Sequence, residues 1–263
     1  MSVRKVQGKS GWAVNFAVVT IKPTMLAALS HTWIDGDKIP ATGGCIIVPN
    51  HVSHLDPLLT AYFVHDHGRI PRYLAKSGLF RTRGVGAILK SAQQIPVERL
   101  TRNAIGAYDA AVRAIADGEC IVIYPEGTLT RDADLWPMKG KTGAARIALA
   151  TGCPVIPVGQ WGAHEVLPPY TKTPHLVPRK NIVMKAGDPV PLGDLVAAPT
   201  SPEATAEATD RIMDAITGIV ADLRGETAPA QRYDPRAAGV REIGNPHDEA
   251  HRASHRPRKK RSR

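Results

Sequence analysis

His51 and Asp56 are a pair of residues whose types and spacing suit general-base chemistry. They follow a short apolar run, 45–48, that has the length and the β-branched side chains of a buried strand. Asp56 and Pro57 are typical of a helix start, with Asp56 at the N-cap and Pro57 at the first helical position. We therefore expect His51 in a strand-to-helix turn, where the Asp56 carboxylate holds one ring nitrogen and leaves the other available as a base.

A second polar turn follows another apolar run, at 121–124, and contains Glu126, Gly127 and Thr128. The His-x4-Asp spacing alone is weak evidence, because a chain with this many His and Asp residues contains it by chance about as often as not. Polar turns at the ends of two strands, however, indicate one site at the carboxyl edge of a sheet.

In four ordered blocks the sequence resembles the glycerophospholipid acyltransferase family, which includes the bacterial 1-acylglycerol-3-phosphate acyltransferases. Roughly residues 40–190 carry the resemblance. The blocks are N-H-x4-D at 50–56, a strand followed by an Arg at 94–99, P-E-G-T at 125–128 and V-I-P-V at 155–158. Blocks one and three are specific in combination, whereas blocks two and four are not specific on their own.

The resemblance implies transfer of a fatty acyl group from acyl-CoA or acyl carrier protein to the 2-hydroxyl of 1-acylglycerol 3-phosphate (lysophosphatidate). The product would be phosphatidate, for phospholipid biosynthesis. His51 would be the general base and Asp56 would orient it. Because a thioester is already activated, neither a covalent enzyme intermediate nor a cofactor is expected. Glycerol 3-phosphate or another lysophospholipid is the alternative acceptor.

The resemblance also implies residues that bind the acceptor. Arg99 matches the Arg of block two and has the geometry to fork onto phosphate oxygens. Glu126, in the turn with Gly127 and Thr128, would position the acceptor glycerol or order that Arg. Backbone N–H groups around the same turn are candidate donors to the tetrahedral oxyanion.

One position departs from the family pattern and leaves the acceptor open. Many members carry Arg directly after E-G-T, whereas this chain has Leu129. Either Arg131 or Lys141 supplies the missing cation, or the acceptor is held in a different way.

Alternating strand and helix patterns predict an α/β fold, with a mixed, largely parallel sheet covered by helices. Pro96 removes one ladder donor and predicts an edge strand or a bulge. Besides the strand at 45–48, strands are expected at 70–76, 93–97, 120–124, 154–158 and 181–186, and helices at 101–117, 142–151 and 201–224.

The predicted domains are a membrane-associating helical segment at 1–36, the acyltransferase domain at 37–228 and a disordered basic tail at 229–263. Residues 12–34 are apolar but interrupted, which predicts a pair of interfacial helices anchored by Trp12, Phe16 and Trp33. The alternative is a helix packed on the domain's own core. The expected location is the cytoplasmic face of the cell membrane, as a peripheral or monotopic protein.

Much of the formal charge of +10 lies in the tail, since residues 232–263 hold ten Arg or Lys against four Asp or Glu. Such a tail suits anionic lipid headgroups, non-specific nucleic-acid binding or plain solubility, and no specific nucleic-acid partner is expected. A hypothesis of a different class follows from it: a non-catalytic lipid- or nucleic-acid-binding protein that uses the tail.

Other chemistries find little support. The chain has no G-x-S-x-G elbow, which disfavours a serine hydrolase. His51 and His54 are three residues apart, but no third metal ligand of suitable spacing follows, so no metal site is expected. The three cysteines lie in or beside apolar runs and are expected to be small buried hydrophobic residues in a reducing compartment.

Overall fold

The computed structural model describes Arg4, Val6 and residues 11–97, 104–196 and 201–240. Helices and strands alternate along most of this length. They are α1 Trp12–Ala28, β1 Leu29–Ile34, β2 Cys45–Pro49, α2 Asp56–Asp66, β3 Pro71–Lys76, α3 Val85–Ser91, β4 Ile95–Val97, α4 Ala104–Ala116, β5 Cys120–Val122, α5 Gly143–Thr151, β6 Val155–Trp161, α6 Ala163–Val166, β7 Lys180–Ala186, α7 Gly193–Val196 and α8 Pro202–Arg224. Short 3-10 helices occur at Gly36–Lys38 and Ser77–Arg81.

Seven described strands form one sheet in the order β1-β7-β6-β2-β5-β3-β4. Neighbouring strands are parallel except for β6 and β7, which are antiparallel. The predicted mixed, largely parallel sheet is therefore confirmed. Since β2 lies between β5 and β6, the segments that follow these three parallel strands leave the sheet at the same edge.

The strand β2 shows why both sheet faces are covered. All five of its residues are buried, and they alternate between two hydrophobic clusters, with Ile46 and Val48 on one face and Cys45 and Ile47 on the other. The first cluster includes side chains of α4, α5 and α8, and the second includes those of α2. The thiols of Cys45 and Cys120 lie in the second cluster as buried hydrophobic side chains, as expected.

The N-terminal segment contains one helix rather than the predicted pair. After α1, residues Leu29–Ile34 form β1, which pairs with β7 at the edge of the sheet and lies ahead of the predicted domain boundary at residue 37. Trp33 is only 4% exposed, because its ring packs against Tyr62 and Phe63 and its Nε1 donates to Asp66. Trp33 is therefore a core residue, and its prediction as a membrane anchor was wrong.

The helix α1 nevertheless presents apolar side chains to solvent. Trp12, Phe16 and Val19 are 58%, 59% and 73% exposed. No helix among the described residues combines the length and the apolarity needed to cross a bilayer. The exposed side chains make α1 the candidate for contact with a lipid surface.

The other sequence-predicted elements lie close to their expected positions. The strand β4 is at the edge of the sheet, where Pro96 costs no inner ladder bond, as predicted. Ser201 accepts a hydrogen bond from the Ala204 N–H and begins α8, and Gly225 ends it with a φ of 64°.

Part of the predicted tail lies against the domain. Arg232 forms ion pairs with Asp210 and Asp214 of α8, and the Tyr233 carbonyl accepts a hydrogen bond from the Lys139 N–H. These polar contacts hold the start of the predicted tail against the domain, although this segment has few large apolar side chains. The rest of the predicted tail, 241–263, lies outside the described residues.

Candidate active site

The candidate site lies where the predicted polar turns meet, at the carboxyl edge of the sheet. Asn50 and His51 follow β2, and the turn that holds Glu126 follows β5. The His51 N–H donates to Glu126 Oε1 at 2.9 Å, and the Thr130 N–H donates to the His51 carbonyl at 2.7 Å. Blocks one and three of the sequence are therefore in direct contact.

His51 and Asp56 form the hydrogen-bonded pair that their spacing predicts. His51 Nδ1 lies 2.8 Å from Asp56 Oδ2. The His51 side chain is 15% exposed, whereas the Asp56 side chain is fully buried. The buried carboxylate thus holds Nδ1 of a ring that solvent and substrate can reach, which leaves Nε2 for proton transfer.

Asp56 has a different local role from the one predicted. It is the first residue of α2, and no side chain caps this helix. Its Oδ2 instead accepts hydrogen bonds from the N–H groups of Val52 and Ser53, at 2.6 and 2.8 Å. These bonds hold the loop before α2 against the carboxylate. Burial raises the pKa of Asp56, while its hydrogen bonds to His51 and to these N–H groups oppose that shift.

Tyr124 packs against the ring of His51. Its ring centroid lies 4.3 Å from that of His51 with an interplanar angle of 32°. The Tyr124 hydroxyl is 2.9 Å from Thr60 Oγ1, and burial raises the pKa of Tyr124 well above its usual range. A neutral aromatic ring fixed in this way limits rotation of the imidazole about its χ angles.

Glu126 joins two loops through its carboxylate. Its Oε1 accepts the His51 N–H and its Oε2 accepts the Met138 N–H at 3.0 Å, while the residue is only 2% exposed. Both carboxyl oxygens are thus engaged with backbone N–H groups. Burial raises the pKa of Glu126 to about 8, although these two hydrogen bonds favour the charged form. This residue positions the backbone of His51.

Replacing Glu126 by glutamine tests this raised pKa. An unfolded chain releases the Glu126 proton near pH 4.5, whereas the folded protein keeps it until about pH 8, so this carboxyl lowers stability progressively as pH rises between those values. The Glu126→Gln variant has no such slope. We expect the urea midpoint of unfolding of the wild type to exceed that of the variant by the largest amount near pH 5. This difference in midpoint should shrink towards pH 8.

The exposed Glu165 on α6 supplies a matched control. Glu165→Gln removes an acidic side chain without touching the His51 loop, so its urea midpoint should follow that of the wild type from pH 5 to pH 8. If the difference in urea midpoint between the wild type and Glu126→Gln stayed constant or widened as the pH rises, the raised pKa of Glu126 would be contradicted.

Asn50 and Gln160 form a buried clamp that sequence reasoning missed. Asn50 Oδ1 accepts the Gln160 N–H at 2.8 Å, Asn50 Nδ2 donates to the Gln160 carbonyl, and Gln160 Nε2 donates to the Asn50 carbonyl at 2.6 Å. Both residues are at most 1% exposed. The only signal in the sequence was the amide side chain of Asn50, near the end of an apolar strand. The clamp fastens Asn50, the residue before His51, to β6.

Lys141 lies directly over the P-E-G-T turn. Its N–H donates to the Pro125 carbonyl at 2.8 Å. Gly127 has a φ of +70°, and a methyl group there would come within 3.1 to 3.3 Å of Lys141 Cδ, Cε and Nζ. Glycine thus allows both the turn and the close approach of this ammonium group. The Gly127 N–H donates to the Tyr124 carbonyl, so this donor is used inside the turn.

Leu129 and Arg131 lie on the other side of that turn. Leu129 is buried, and its carbonyl accepts a hydrogen bond from the Tyr170 hydroxyl at 3.0 Å. Burial raises the pKa of Tyr170, and the neighbouring Arg131 guanidinium and Thr128 hydroxyl oppose this shift. Of the two cations that the sequence offered in place of the missing Arg, Lys141 thus lies against Gly127, and Arg131 and Thr128 both contact Tyr170. Arg99 lies outside the described residues.

A cavity of about 450 Å³ opens beside the turn. Glu126 and Thr128 form its floor, and it is bounded by the 138–142 loop and by residues 234–236 of the C-terminal segment. Three of the side chains that line it are cationic: Lys139, Lys141 and Arg236. This charge suits an anionic group held next to the His51 loop.

Comparison with known proteins agrees with this geometry. Residues 32–161 match the family model described as Acyltransferase, and this segment holds β2, β5 and the whole His51, Asp56 and Glu126 arrangement. Over this stretch, about half of the chain, the protein is therefore similar to the acyltransferase family.

Named relatives refine that class. The chain is 33% identical over 134 residues to a 1-acyl-sn-glycerol-3-phosphate acyltransferase of Borreliella burgdorferi, which covers 51% of this chain and 52% of the relative. It is 29% identical over 125 residues to a chloroplastic 1-acyl-sn-glycerol-3-phosphate acyltransferase of Brassica napus, covering 47% and 35%. The chain therefore spans about half, or less, of the length of these relatives.

A solved structure shares the fold. The 1-acyl-sn-glycerophosphate acyltransferase of Thermotoga maritima superposes with a TM-score of 0.62 and 20% sequence identity, and the match covers 82% of this chain and 81% of that one. This likeness supports the sheet order and the placement of the helices described above.

Proposed function

We propose that this protein transfers a fatty acyl group from a thioester to the 2-hydroxyl of 1-acylglycerol 3-phosphate and forms phosphatidate. One observation carries the proposal. The His51–Asp56 pair and a cation-lined cavity share one P-E-G-T turn: the His51 N–H donates to Glu126, and Glu126 and Thr128 line the cavity. A base and an anion site that share one turn suit an acceptor whose hydroxyl and phosphate share one glycerol backbone.

His51 acts as the general base in this reaction. Its Nε2 takes the proton of the acceptor hydroxyl while that oxygen attacks the thioester carbonyl. The tetrahedral intermediate then expels the thiolate, which takes the same proton back from the imidazolium and leaves as a thiol. Asp56 holds Nδ1 throughout and stabilises the charged ring, so the cycle ends with His51 neutral.

The acceptor phosphate binds the cations around the turn. Lys141 lies over Gly127, and Arg131 contacts Tyr170, which also contacts Thr128, so both are proposed to replace the Arg that many family members carry where this chain has Leu129. Arg99 of block two is proposed as a further phosphate ligand from the sequence alone. Charge-assisted hydrogen bonds of this kind are stronger than neutral ones, which favours a phosphate over a neutral headgroup.

An apolar cavity of about 250 Å³ is the proposed site for an alkyl chain. It lies between α1, α2 and β3, and its wall includes Val14, Val18, Leu58 and Tyr73. Leu58 is two residues beyond Asp56, so the cavity begins close to the catalytic pair. Each methylene buried there contributes about 0.8 kcal/mol. The acyl donor is proposed to be acyl-CoA or acyl carrier protein, with no other cofactor.

A panel of acceptors tests the proposal. Purified protein in detergent receives palmitoyl-CoA with 1-acylglycerol 3-phosphate, glycerol 3-phosphate or lysophosphatidylcholine, and thiol release is followed. We expect release that requires 1-acylglycerol 3-phosphate. Release with glycerol 3-phosphate alone would keep the mechanism and change the acceptor. Failure with every acceptor, for acyl-CoA and for acyl carrier protein alike, would contradict the proposed function.

We further propose that α1 attaches the protein to the cytoplasmic face of the membrane. Replacing both Trp12 and Phe16 by serine removes two large exposed apolar side chains. Vesicle binding should fall by about tenfold or more, since burying one such side chain contributes about 1.5–3 kcal/mol. Co-sedimentation with vesicles of phosphatidylglycerol and phosphatidylcholine measures it.

Val196 provides the control for this experiment. It is also exposed, but it lies on α7, which packs on α5 at the opposite face of the sheet. Val196→Ser should leave vesicle binding unchanged. Equal binding by the wild type and the Trp12 and Phe16 double variant would contradict attachment through α1.

A further inference from the structure

The C-terminal segment reaches the candidate active site. Asp234, Pro235 and Arg236 line the 450 Å³ cavity opposite Thr128 and Lys141. In the sequence these residues are more than ninety positions away from the P-E-G-T turn, in a stretch whose composition suggests disorder. The segment that matches the family model ends at residue 161, so this wall lies outside the matched segment.

Several contacts hold the segment in place. The Lys139 N–H donates to the Tyr233 carbonyl at 3.0 Å, and Lys139 Nζ pairs with Asp234 Oδ2 at 3.2 Å. Arg232 pairs with two carboxylates of α8, and Pro235 is buried. The segment is therefore anchored both before and at the cavity wall.

The backbone of Arg236 is fixed by the same carboxylate. Asp234 Oδ1 accepts the Arg236 N–H at 2.9 Å and closes a tight turn, while its other oxygen pairs with Lys139. This turn directs Arg236 to the cavity rim, where its side chain is exposed. Lys141 and Arg236 line the cavity together with Lys139, so three cationic side chains lie at its wall.

We propose that Arg236 is a specificity-determining residue that binds the phosphate monoester of the acceptor together with Lys141. The inference rests on the proposed function, because it names the group that the acceptor presents to this cavity. A guanidinium forks onto two phosphate oxygens, which an ammonium cannot do. Arg236 thus provides a further guanidinium at the cavity beside the turn in which Leu129 stands in place of Arg.

Steady-state kinetics of the full-length Arg236→Ala variant test the proposal. We expect the KM for 1-acylglycerol 3-phosphate to rise about tenfold or more, since a hydrogen bond to a charged group is worth at least that factor. The kcat and the KM for palmitoyl-CoA should change by less than about twofold. Arg236→Lys should restore part of the loss, because it keeps the charge and loses the fork.

Arg113→Ala is the matched control. Arg113 is exposed on α4 and does not line the cavity. If Arg236→Ala and Arg113→Ala gave the same KM for 1-acylglycerol 3-phosphate, in protein whose wild type forms phosphatidate, the role of Arg236 would be overturned while the proposed function stood.

A binding measurement separates this inference from the proposed function. Thermal unfolding of the wild type and of Arg236→Ala is followed with glycerol 3-phosphate and with inorganic phosphate. We expect both anions to raise the unfolding temperature of the wild type, with a larger rise for glycerol 3-phosphate. In Arg236→Ala, most of this rise should be lost for both anions. This result would support the phosphate site even if no acyl transfer were found. Equal protection of both proteins, or no protection of the wild type, would overturn it.

Discussion

Replacing His51 by alanine should lower kcat for acyl transfer by about 10²–10⁴-fold and leave the fold intact, because general-base assistance of this kind has that magnitude. The imidazole is the partly exposed half of a pair whose other half is buried, and within the described part of the chain its side-chain hydrogen bond is to Asp56. Its loss therefore removes the base without opening the core. Thiol release from palmitoyl-CoA and near-UV circular dichroism measure the two parts of this prediction.

His54 is the control for this substitution. It lies in the same loop, three residues after His51, and it is exposed. His54→Ala should retain activity within about twofold of the wild type. If His51→Ala kept wild-type kcat, or if His54→Ala lost as much as His51→Ala, a role for His51 as the base would be wrong.

Replacing Asp56 by asparagine should be the next most damaging change, with kcat reduced by about 10²-fold or more. The amide removes the charge that stabilises the imidazolium. Its single oxygen can still occupy the position of Oδ2, which accepts His51 Nδ1 and the N–H groups of Val52 and Ser53, so the expected loss comes from the charge. The reduction should appear in kcat and leave the KM for the acceptor within about threefold of the wild type, since Asp56 does not line the anion cavity.

Asp66 offers a matched comparison at the other end of the same helix. It is also a buried aspartate, and it pairs with Lys22 and Trp33 far along α2 from the site. Asp66→Asn should lower the unfolding midpoint and preserve kcat in the folded protein. Loss of kcat in both variants to the same degree would show that the Asp56 effect is a general loss of packing.

The strand-to-helix unit around His51 could be predicted because its signals are local. A run of β-branched residues, a proline in the first helical turn and a five-residue separation place His51 and Asp56 in one strand-to-helix turn. Parallel strands then bring Glu126 to the same edge, since β2 and β5 are neighbours in the sheet. The mixed sheet, the edge position of Pro96 and the capped helix at 202–224 followed from equally local patterns.

Contacts that depend on long-range packing could not be predicted. Nothing near Glu126 in the sequence shows that its oxygens bind two backbone N–H groups, and nothing near Asn50 identifies Gln160 as its partner. Trp33 looks like a membrane anchor by composition, but the aromatic cluster that buries it comes from α2. Arg236 lies in a stretch whose composition suggests disorder, and only the contacts of Lys139 and α8 bring it to the cavity.

The most direct test follows the acyl group itself. Carbon-13-labelled palmitoyl-CoA and unlabelled 1-acylglycerol 3-phosphate are given to the wild type and to His51→Ala, and the products are identified by mass spectrometry. We expect one labelled chain at the 2-position of phosphatidate with the wild type and none above background with the variant. Equal labelling by both proteins, or labelled free palmitate with no labelled phosphatidate, would contradict acyl transfer by His51.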